Sequence, residues 1–209
     1  MTSKTPEMQT PSRWEPVKRM MAGASPVRLS STVARMAEQA PGQWLARLSL
    51  YKFAAKMIGP EANVLDVDCG QGLGTWILAK ECGAACGIDP DAQAIELARR
   101  NWNEDHISFK QAKLPLLEPR AFDAVVVFNH RVSSGRITEW QSLIEAVAAR
   151  LKPHGVAILT GPSLQNSNDA CFIVCQQVFS QTFLFSVFGE LIRPGRHRGA
   201  DHTLLLNCR

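Results

Sequence analysis

The sequence lacks the features that mark membrane-spanning, exported and metal-binding proteins. Its longest apolar stretch, near residues 183–187, is far too short to cross a bilayer. The amino end has no apolar signal core, because residues 3–17 are polar and contain two glutamates and three prolines. The six cysteines form no C-x-x-C pair of the kind that zinc and redox sites favour. We therefore predict no membrane span, no metal site, buried reduced cysteines and a cytoplasmic setting.

A dense basic stripe is also missing. The formal net charge is only +4, and the basic residues are scattered except for one small group: Arg193, Arg196, His197 and Arg198. Glycines inside this group favour a solvated turn between two strands, with an anion site as the alternative. The charge pattern therefore disfavours nucleic acid as a partner, and it leaves the oligomeric state open.

The sequence predicts one domain behind a flexible leader. Residues 1–40 show little sustained periodicity and many turn formers, which is typical of a flexible segment. From Trp44 to Ile58 the apolar residues recur at helical spacing, and Gly59 ends the pattern. We therefore place the leader at 1–40 and the folded domain at 41–209.

Strand-like and helix-like segments alternate after this first helix. Strands are predicted at 63–67, 84–88, 107–110, 122–128 and 156–160, with helices between most of them, and the fourth is expected to be central. Such alternation is typical of a parallel sheet with right-handed crossovers. Two later segments, 182–189 and 202–208, are predicted to pair as an antiparallel hairpin with a long connection. The expected fold is α/β, with a doubly wound, mostly parallel seven-stranded sheet and a C-terminal antiparallel hairpin.

The segment from Val64 to Gly74 predicts a strand, a tight loop and a helix start. Its glycines permit positive φ angles and let a ligand lie against the main chain. The helix that follows presents unpaired N–H groups and the positive end of its dipole. This is the architecture of a nucleotide-cofactor site.

A second marker follows the next strand. Asp89 comes at its end, 23 residues after Asp66. A carboxylate at this place and spacing accepts hydrogen bonds from both hydroxyls of a ribose. The glycine loop and Asp89 together are much stronger evidence than the glycines alone.

The charge of Asp66 separates two classes of cofactor. A carboxylate that faces the pyrophosphate of a nicotinamide dinucleotide is repelled, whereas one that faces a ligand ammonium is attracted. The loop also reads G-x-G-x-G rather than G-x-G-x-x-G. The residues therefore favour a positively charged cofactor.

At this point the chain closely resembles the class I S-adenosylmethionine-dependent methyltransferases. Three segments carry the resemblance over residues 43–160: the V-L-D-V-D-C-G-Q-G loop, the F-D-A-V strand and the L-K-P-H-G turn. The resemblance implies a Rossmann-like methyltransferase fold, S-adenosylmethionine as the cofactor and methyl transfer as the activity. The expected acceptor is an oxygen or nitrogen, less readily a carbon, of a small or sugar-like molecule.

The resemblance also implies a set of cofactor-binding positions. These are Asp66, Asp68, Cys69, Gly70, Gly72, Asp89, Pro90, Gln111, Ala112 and Asn129. His130 follows the central strand, where the family brings the acceptor to the methyl group, and it is a candidate general base. An ordinary pocket-lining histidine is the alternative.

Two positions depart from the family pattern. Asp68 replaces the first loop glycine, so its side chain either contacts the ligand or turns away in a strained conformation. Gln111 stands where the family commonly has an acid that holds the adenine amino group, although an amide oxygen also accepts a hydrogen bond. These departures keep open an alternative function, a methyltransferase-like scaffold or binding protein with a degenerate cofactor pocket.

Overall fold

The computed structural model describes residues 27–128, 137–162, 170–198, 200 and 202–209. No helix in these residues is long and apolar enough to span a bilayer. The predicted leader of residues 1–40 stays a prediction, and the structure describes only its last part.

One mixed eight-stranded sheet organises the chain. The strands are β1 (Asn63–Val67), β2 (Ala84–Asp89), β3 (Ile107–Gln111), β4 (Phe122–Val127), β5 (Leu151–Pro162), β6 (Gln181–Phe188), β7 (Leu191–Pro194) and β8 (His202–Cys208). Their order is β3-β2-β1-β4-β5-β8-β6-β7, with β1 to β5 parallel and β6 to β8 antiparallel to their neighbours. The predicted fold class and the central place of β4 are confirmed.

Helices cover both faces of the sheet. They are α1 (Ser31–Gln39), α2 (Pro41–Ile58), α3 (Leu73–Ala79), α4 (Ala92–Asn101), α5 (Ile137–Arg150) and α6 (Ala170–Val178). Alternate residues of β1 and β4 point to opposite faces, as the pleat requires. Val64 and Val126 pack with α2 and α3, whereas Leu65 and Val125 pack with α5 and α6. The two central strands β1 and β4 are therefore buried on both faces of the sheet.

The eighth strand was not predicted. The sequence reads as a turn around Arg193, but Leu191–Pro194 pairs with β6 as an edge strand. Ile192 packs against the same core face as Val187, which gives this short segment an apolar anchor. The remaining basic residues of the group, from Arg196 to Arg198, lie exposed in the loop that follows.

The predicted turn at Leu151–Gly155 is a bulge within β5. Leu151 already pairs with Phe122 of β4, and pairing resumes between Val156 and Ala124. Three extra residues therefore bulge out of β5, and His154 there takes a positive φ of 63°. The strand thus starts five residues earlier than predicted, because pairing with β4 begins before the turn.

Candidate functional site

The glycine loop lies at the carboxyl ends of β1 and β2, where open parallel sheets bind ligands. Gly70 and Gly72 have φ angles of 56° and 81°, in the left-handed region. A Cβ on Gly72 would lie 2.6 Å from the Phe109 ring and 2.8 Å from Trp102, so packing requires a glycine there. A Cβ on Gly70 would meet nothing within 4 Å, which shows that this stretch of main chain faces open space.

Asp89 is held by the backbone of its surroundings. Its Oδ2 accepts a hydrogen bond from the Gly70 N–H at 2.9 Å, and its Oδ1 accepts one from the Asp91 N–H at 2.9 Å. A carboxylate offers about four acceptor positions, so about two stay available on this half-exposed side chain. The geometry therefore fits a pair of ribose hydroxyls beside the glycine loop.

Pro90, Gln111 and Ala112 lie together next to this carboxylate. Gln111 is the register partner of Asp89 across β2 and β3. The Ala112 N–H donates to the Asp89 carbonyl at 3.2 Å, and Gln111 Nε2 donates to the Pro90 carbonyl at 3.2 Å. That bond orients the amide and leaves Gln111 Oε1 as an acceptor for a base amino group.

Asp66 lies beneath the pocket rather than in its wall. Its carboxyl group is fully buried, and it accepts hydrogen bonds from Tyr51 Oη at 3.3 Å and from Thr75 Oγ1 at 2.7 Å. Burial raises the pKa of this carboxyl to about 7. Neighbouring side chains cover the group in this structure, so the ligand contact that the resemblance implies for Asp66 stays a prediction. Its role here is to tie α2 and α3 to β1.

Asp68 has a backbone conformation that is strained for a residue with a side chain, and whether it contacts a ligand stays a prediction. Its φ is 55°, in the left-handed region where the family has glycine. Its side chain is half-buried.

The neighbouring Cys69 is buried, and burial together with the Asp66 and Asp89 carboxylates raises the pKa of its thiol. This thiol therefore stays protonated and is not a nucleophile.

A small cavity of about 120 Å³ lies beside the loop. It is lined by Leu29, Val33, Trp44, Arg47, Leu48, Tyr51, Cys69, Gly70, Gln71, Leu73 and Gly74. The loop side of the cavity thus contains two predicted positions, Cys69 and Gly70, and its other side comes from α1, α2 and the residues before α1.

A larger cleft of about 620 Å³ opens next to this cavity. It is lined by Gly42, Gln43, Ala46, Arg47, Leu50, Phe128, Thr160, Val187 and Gly189. These residues come from α2, from the ends of β4 and β5, and from the β6–β7 turn. The cleft therefore has the size of a second ligand site that meets the first.

Arg47 lines both spaces, and sequence reasoning missed it. Its positive charge acts to lower the pKa of the buried Tyr51 and Asp66, against the larger effect of their burial. Arg47 lies four residues, about one helical turn, before Tyr51 and therefore on the same face of α2. Because Tyr51 also lines the smaller cavity, this spacing is a signal by which the sequence identifies Arg47. A cation at this junction suits a ligand carboxylate.

Two other expectations have different outcomes. Asn129 and His130 lie outside the described residues, so their roles stay predictions. The described cysteines are all free thiols, and five of the six are buried.

Sequence comparisons agree with this geometry. Residues 64–155 match the family model described as "Methyltransferase domain". Ribosomal protein L11 methyltransferase from Burkholderia lata is 31% identical over 123 residues, which cover 58% of this chain and 39% of that protein. The chain spans about two fifths of the length of the curated relatives it matches.

Solved structures share the fold. The N-methyltransferase NodS from Bradyrhizobium japonicum WM9 in complex with S-adenosyl-L-homocysteine aligns with a TM-score of 0.56 and 20% identity, covering 94% of this chain and 97% of that chain. Magnesium protoporphyrin IX methyltransferase from Synechocystis PCC 6803 with bound S-adenosylmethionine aligns with a TM-score of 0.59 and 16% identity, covering 93% of this chain and 91% of that chain. At these identities the likeness concerns the fold.

Proposed function

Because this chain carries a class I S-adenosylmethionine-dependent methyltransferase domain, we propose that it transfers the cofactor's methyl group to a nitrogen or oxygen of a protein acceptor. The observation that carries the proposal is the Asp89 carboxylate, fixed by the Gly70 and Asp91 N–H groups next to open main chain. The predicted domain family and cofactor are confirmed, and the reaction of the whole chain is the proposal.

The residues present fit S-adenosylmethionine. Asp89 would hold the ribose hydroxyls and Gln111 Oε1 the adenine amino group, while the Gly70 main chain leaves room for the ligand. Arg47 would pair with the carboxylate of its amino-acid part. The cofactor supplies an electrophilic methyl group on a sulfonium. The protein's work is then to align the acceptor with that methyl group and to exclude water.

The predicted small-molecule acceptor is wrong. The curated relatives are named for methylating ribosomal protein L11, which is a protein. A protein acceptor also suits the cleft, because its volume is about 620 Å³ and a Cβ on Gly42 or Gly189 at its edges would meet nothing within 4 Å. Main chain beside the methylated side chain therefore has space to enter.

Calorimetry tests cofactor binding. We expect the full chain to bind both S-adenosylmethionine and S-adenosylhomocysteine, and Asp89→Ala to bind both about 100-fold more weakly. Absence of heat with either ligand, together with no thermal shift at millimolar ligand, would leave the scaffold alternative as the better interpretation.

Methyl transfer is tested with purified ribosomal protein L11 and cofactor carrying a labelled methyl group. We expect labelled methyl on a nitrogen or oxygen of the protein, and none with Asp89→Ala. If L11 stays unlabelled, a fractionated extract treated in the same way shows whether another protein takes the label. Label confined to metabolites would contradict the protein acceptor.

The cytoplasmic location stays a prediction, consistent with the free cysteines.

A further inference from the structure

Residues 28–30, just before α1, lie across the glycine loop and the end of α4. We call them the cover. The Ser30 N–H donates to Gln71 Oε1 at 3.1 Å, and Gln71 Nε2 donates to Ser30 Oγ at 2.5 Å. A single glutamine side chain in the loop thus makes two hydrogen bonds to one residue of the cover.

A second amide holds the other end of the cover. The Arg28 N–H donates to Asn101 Oδ1 at 3.1 Å, and Asn101 Nδ2 donates to the Arg28 carbonyl at 2.8 Å. This pattern imitates one rung of a β-ladder with a side chain in place of a strand. Four hydrogen bonds therefore attach three residues to the cofactor side of the domain.

The side chain between these two attachments closes the cavity. Leu29 lines the small cavity beside the glycine loop, and Val33 of α1 lines it as well. Its volume of about 120 Å³ is well below the roughly 300 Å³ at which small-molecule pockets begin. Asp89, which would hold the ribose, does not line this cavity. The cofactor site therefore extends from a covered end at the glycine loop to an uncovered end at Asp89.

The side chain and the backbone of Gln71 have separate hydrogen-bond partners. Its carbonyl accepts a hydrogen bond from Trp102 Nε1 at 2.8 Å, which fixes the loop backbone independently of the cover. Its side chain can therefore release Ser30 without disturbing the positive-φ glycines on either side of it.

From these contacts we propose that the cover is a gate on the cofactor site, and that it must detach from Gln71 and Asn101 for the cofactor to enter or leave. The proposal rests on the proposed function, because it assumes that the ligand is the methyl donor or its product. The hydrogen bonds are made between neutral groups, so each is weak enough to break at every turnover.

A reversible disulfide that holds the cover in place tests whether the cover is a gate. Arg28→Cys combined with Asn101→Cys introduces one thiol on each of the two residues that the asparagine amide now joins, and mass spectrometry confirms that the disulfide forms. When oxidised, the preloaded protein is expected to retain S-adenosylhomocysteine at least tenfold longer than the reduced form, and the empty protein to take it up at least tenfold more slowly. Reductant should restore both rates. Each single-cysteine variant is the control for oxidation of the native thiols.

An opening variant gives an independent measurement. Asn101→Ala removes two hydrogen bonds, and we expect S-adenosylhomocysteine to dissociate about tenfold faster. The protein's tryptophan fluorescence, to which Trp44 in the cavity wall contributes, follows the dissociation. Asn103→Ala, an exposed amide two residues further along the chain, is the matched control and should leave the rate unchanged. Equal exchange rates in locked and reduced protein, or an unchanged rate in Asn101→Ala, would overturn the gate alone. Failure of the wild-type protein to bind the ligand would overturn both the gate and the proposed function.

Discussion

At the scale of single residues, two carboxylates of the same motif set have opposite environments. Asp89 is half-exposed and bound by backbone N–H groups, so it stays available to a ligand. Asp66 is fully buried and bound by two hydroxyl groups, so it serves the packing of three elements. The motif alone does not distinguish them, because it specifies residue type and spacing but not which side chains cover each group.

Replacing Asp89 tests the ligand-binding carboxylate. Asp89→Ala should weaken S-adenosylhomocysteine binding by about 100-fold, because two charge-assisted hydrogen bonds to the ribose are lost. Calorimetry measures the affinity. Asp105→Ala, an exposed carboxylate beyond α4, is the control and should bind as the wild-type protein does. An affinity within threefold of wild type for Asp89→Ala would remove Asp89 from the site.

Replacing Asp66 tests the buried carboxyl through pH. The pKa of this carboxyl is about 7 in the folded protein, whereas its ordinary value is 3.8, so between these pH values only the folded state holds the proton. The free energy of unfolding therefore falls as pH rises through this window, by on the order of 4 kcal/mol at most. Asp66→Asn removes this dependence. In urea unfolding, the variant should gain stability relative to wild type between pH 5 and pH 8.

Asp123 provides the control, because its pKa is shifted in the opposite direction to that of Asp66. Partial burial raises the pKa of this carboxyl, but the Asn63 N–H and Lys152 outweigh burial and hold its pKa below the usual value. Its contribution to stability is present above pH 3.8 and is lost only as pH falls further. The effect of Asp123→Asn should therefore not change between pH 5 and pH 8. A parallel change in both variants would point to a general effect of pH on the fold.

At the scale of elements, helix α2 joins the core to both ligand spaces. Leu50 and Arg47 face the larger cleft, and Tyr51 reaches Asp66 under the glycine loop. Gly74 of α3 packs on the Tyr51 ring so closely that a Cβ there would lie 2.1 Å from it. The contact between α2 and α3 therefore depends on the absence of a side chain at Gly74.

A pair of glycine variants tests this contact. Gly74→Ala should destabilise the protein by about 1–3 kcal/mol, because the added methyl group overpacks the Tyr51 ring. Gly42→Ala, also in a helix, should be neutral or stabilising by up to about 1 kcal/mol, since its Cβ meets nothing within 4 Å. Denaturant unfolding measures both. A Gly74→Ala protein as stable as Gly42→Ala would show that the helices move apart at little cost.

The predictability of the elements follows from how each is stabilised. β1 was predicted with its observed bounds, Asn63–Val67, because a short apolar run ends directly at the glycine loop. β7 was missed, because four residues with an arginine and a proline have no strand pattern, and only pairing with β6 defines them. The register of the bulge in β5 was missed for the same reason. Local patterns predict elements that bury their own apolar face, whereas pairing with distant strands decides the others.

The same distinction applies to the site. Asp89 and the glycines were predicted because their spacing along the chain is characteristic. Arg47 lies 24 residues before Gln71 in the chain. Ser30, which hydrogen-bonds to Gln71, lies 41 residues before it. No pattern in a single sequence shows which leader residue lies over the loop.

At the scale of the whole molecule, the sheet separates two tasks. β1, β2 and β3 carry the cofactor positions, whereas β4, β5 and the β6–β7 turn line the larger cleft together with α2. The two spaces meet at Arg47, which lines both. This division predicts that a change on the far side of the cleft affects the acceptor and leaves the cofactor unaffected.

Gly42→Leu tests this division of the molecule. The leucine side chain would project from α2 into the 620 Å³ cleft, which Gly42 lines, whereas Gly42 does not line the smaller cavity. We expect the affinity for S-adenosylhomocysteine to stay within about twofold of wild type, and kcat/KM for a methylated protein acceptor to fall at least tenfold, since one displaced contact in an alignment step costs that much. Gly42→Ala is the matched control and should retain most of the activity. A loss of cofactor affinity equal to the loss of kcat/KM would mean that the cleft and the cavity work as one site, whereas unchanged kinetics would place the acceptor elsewhere on the surface.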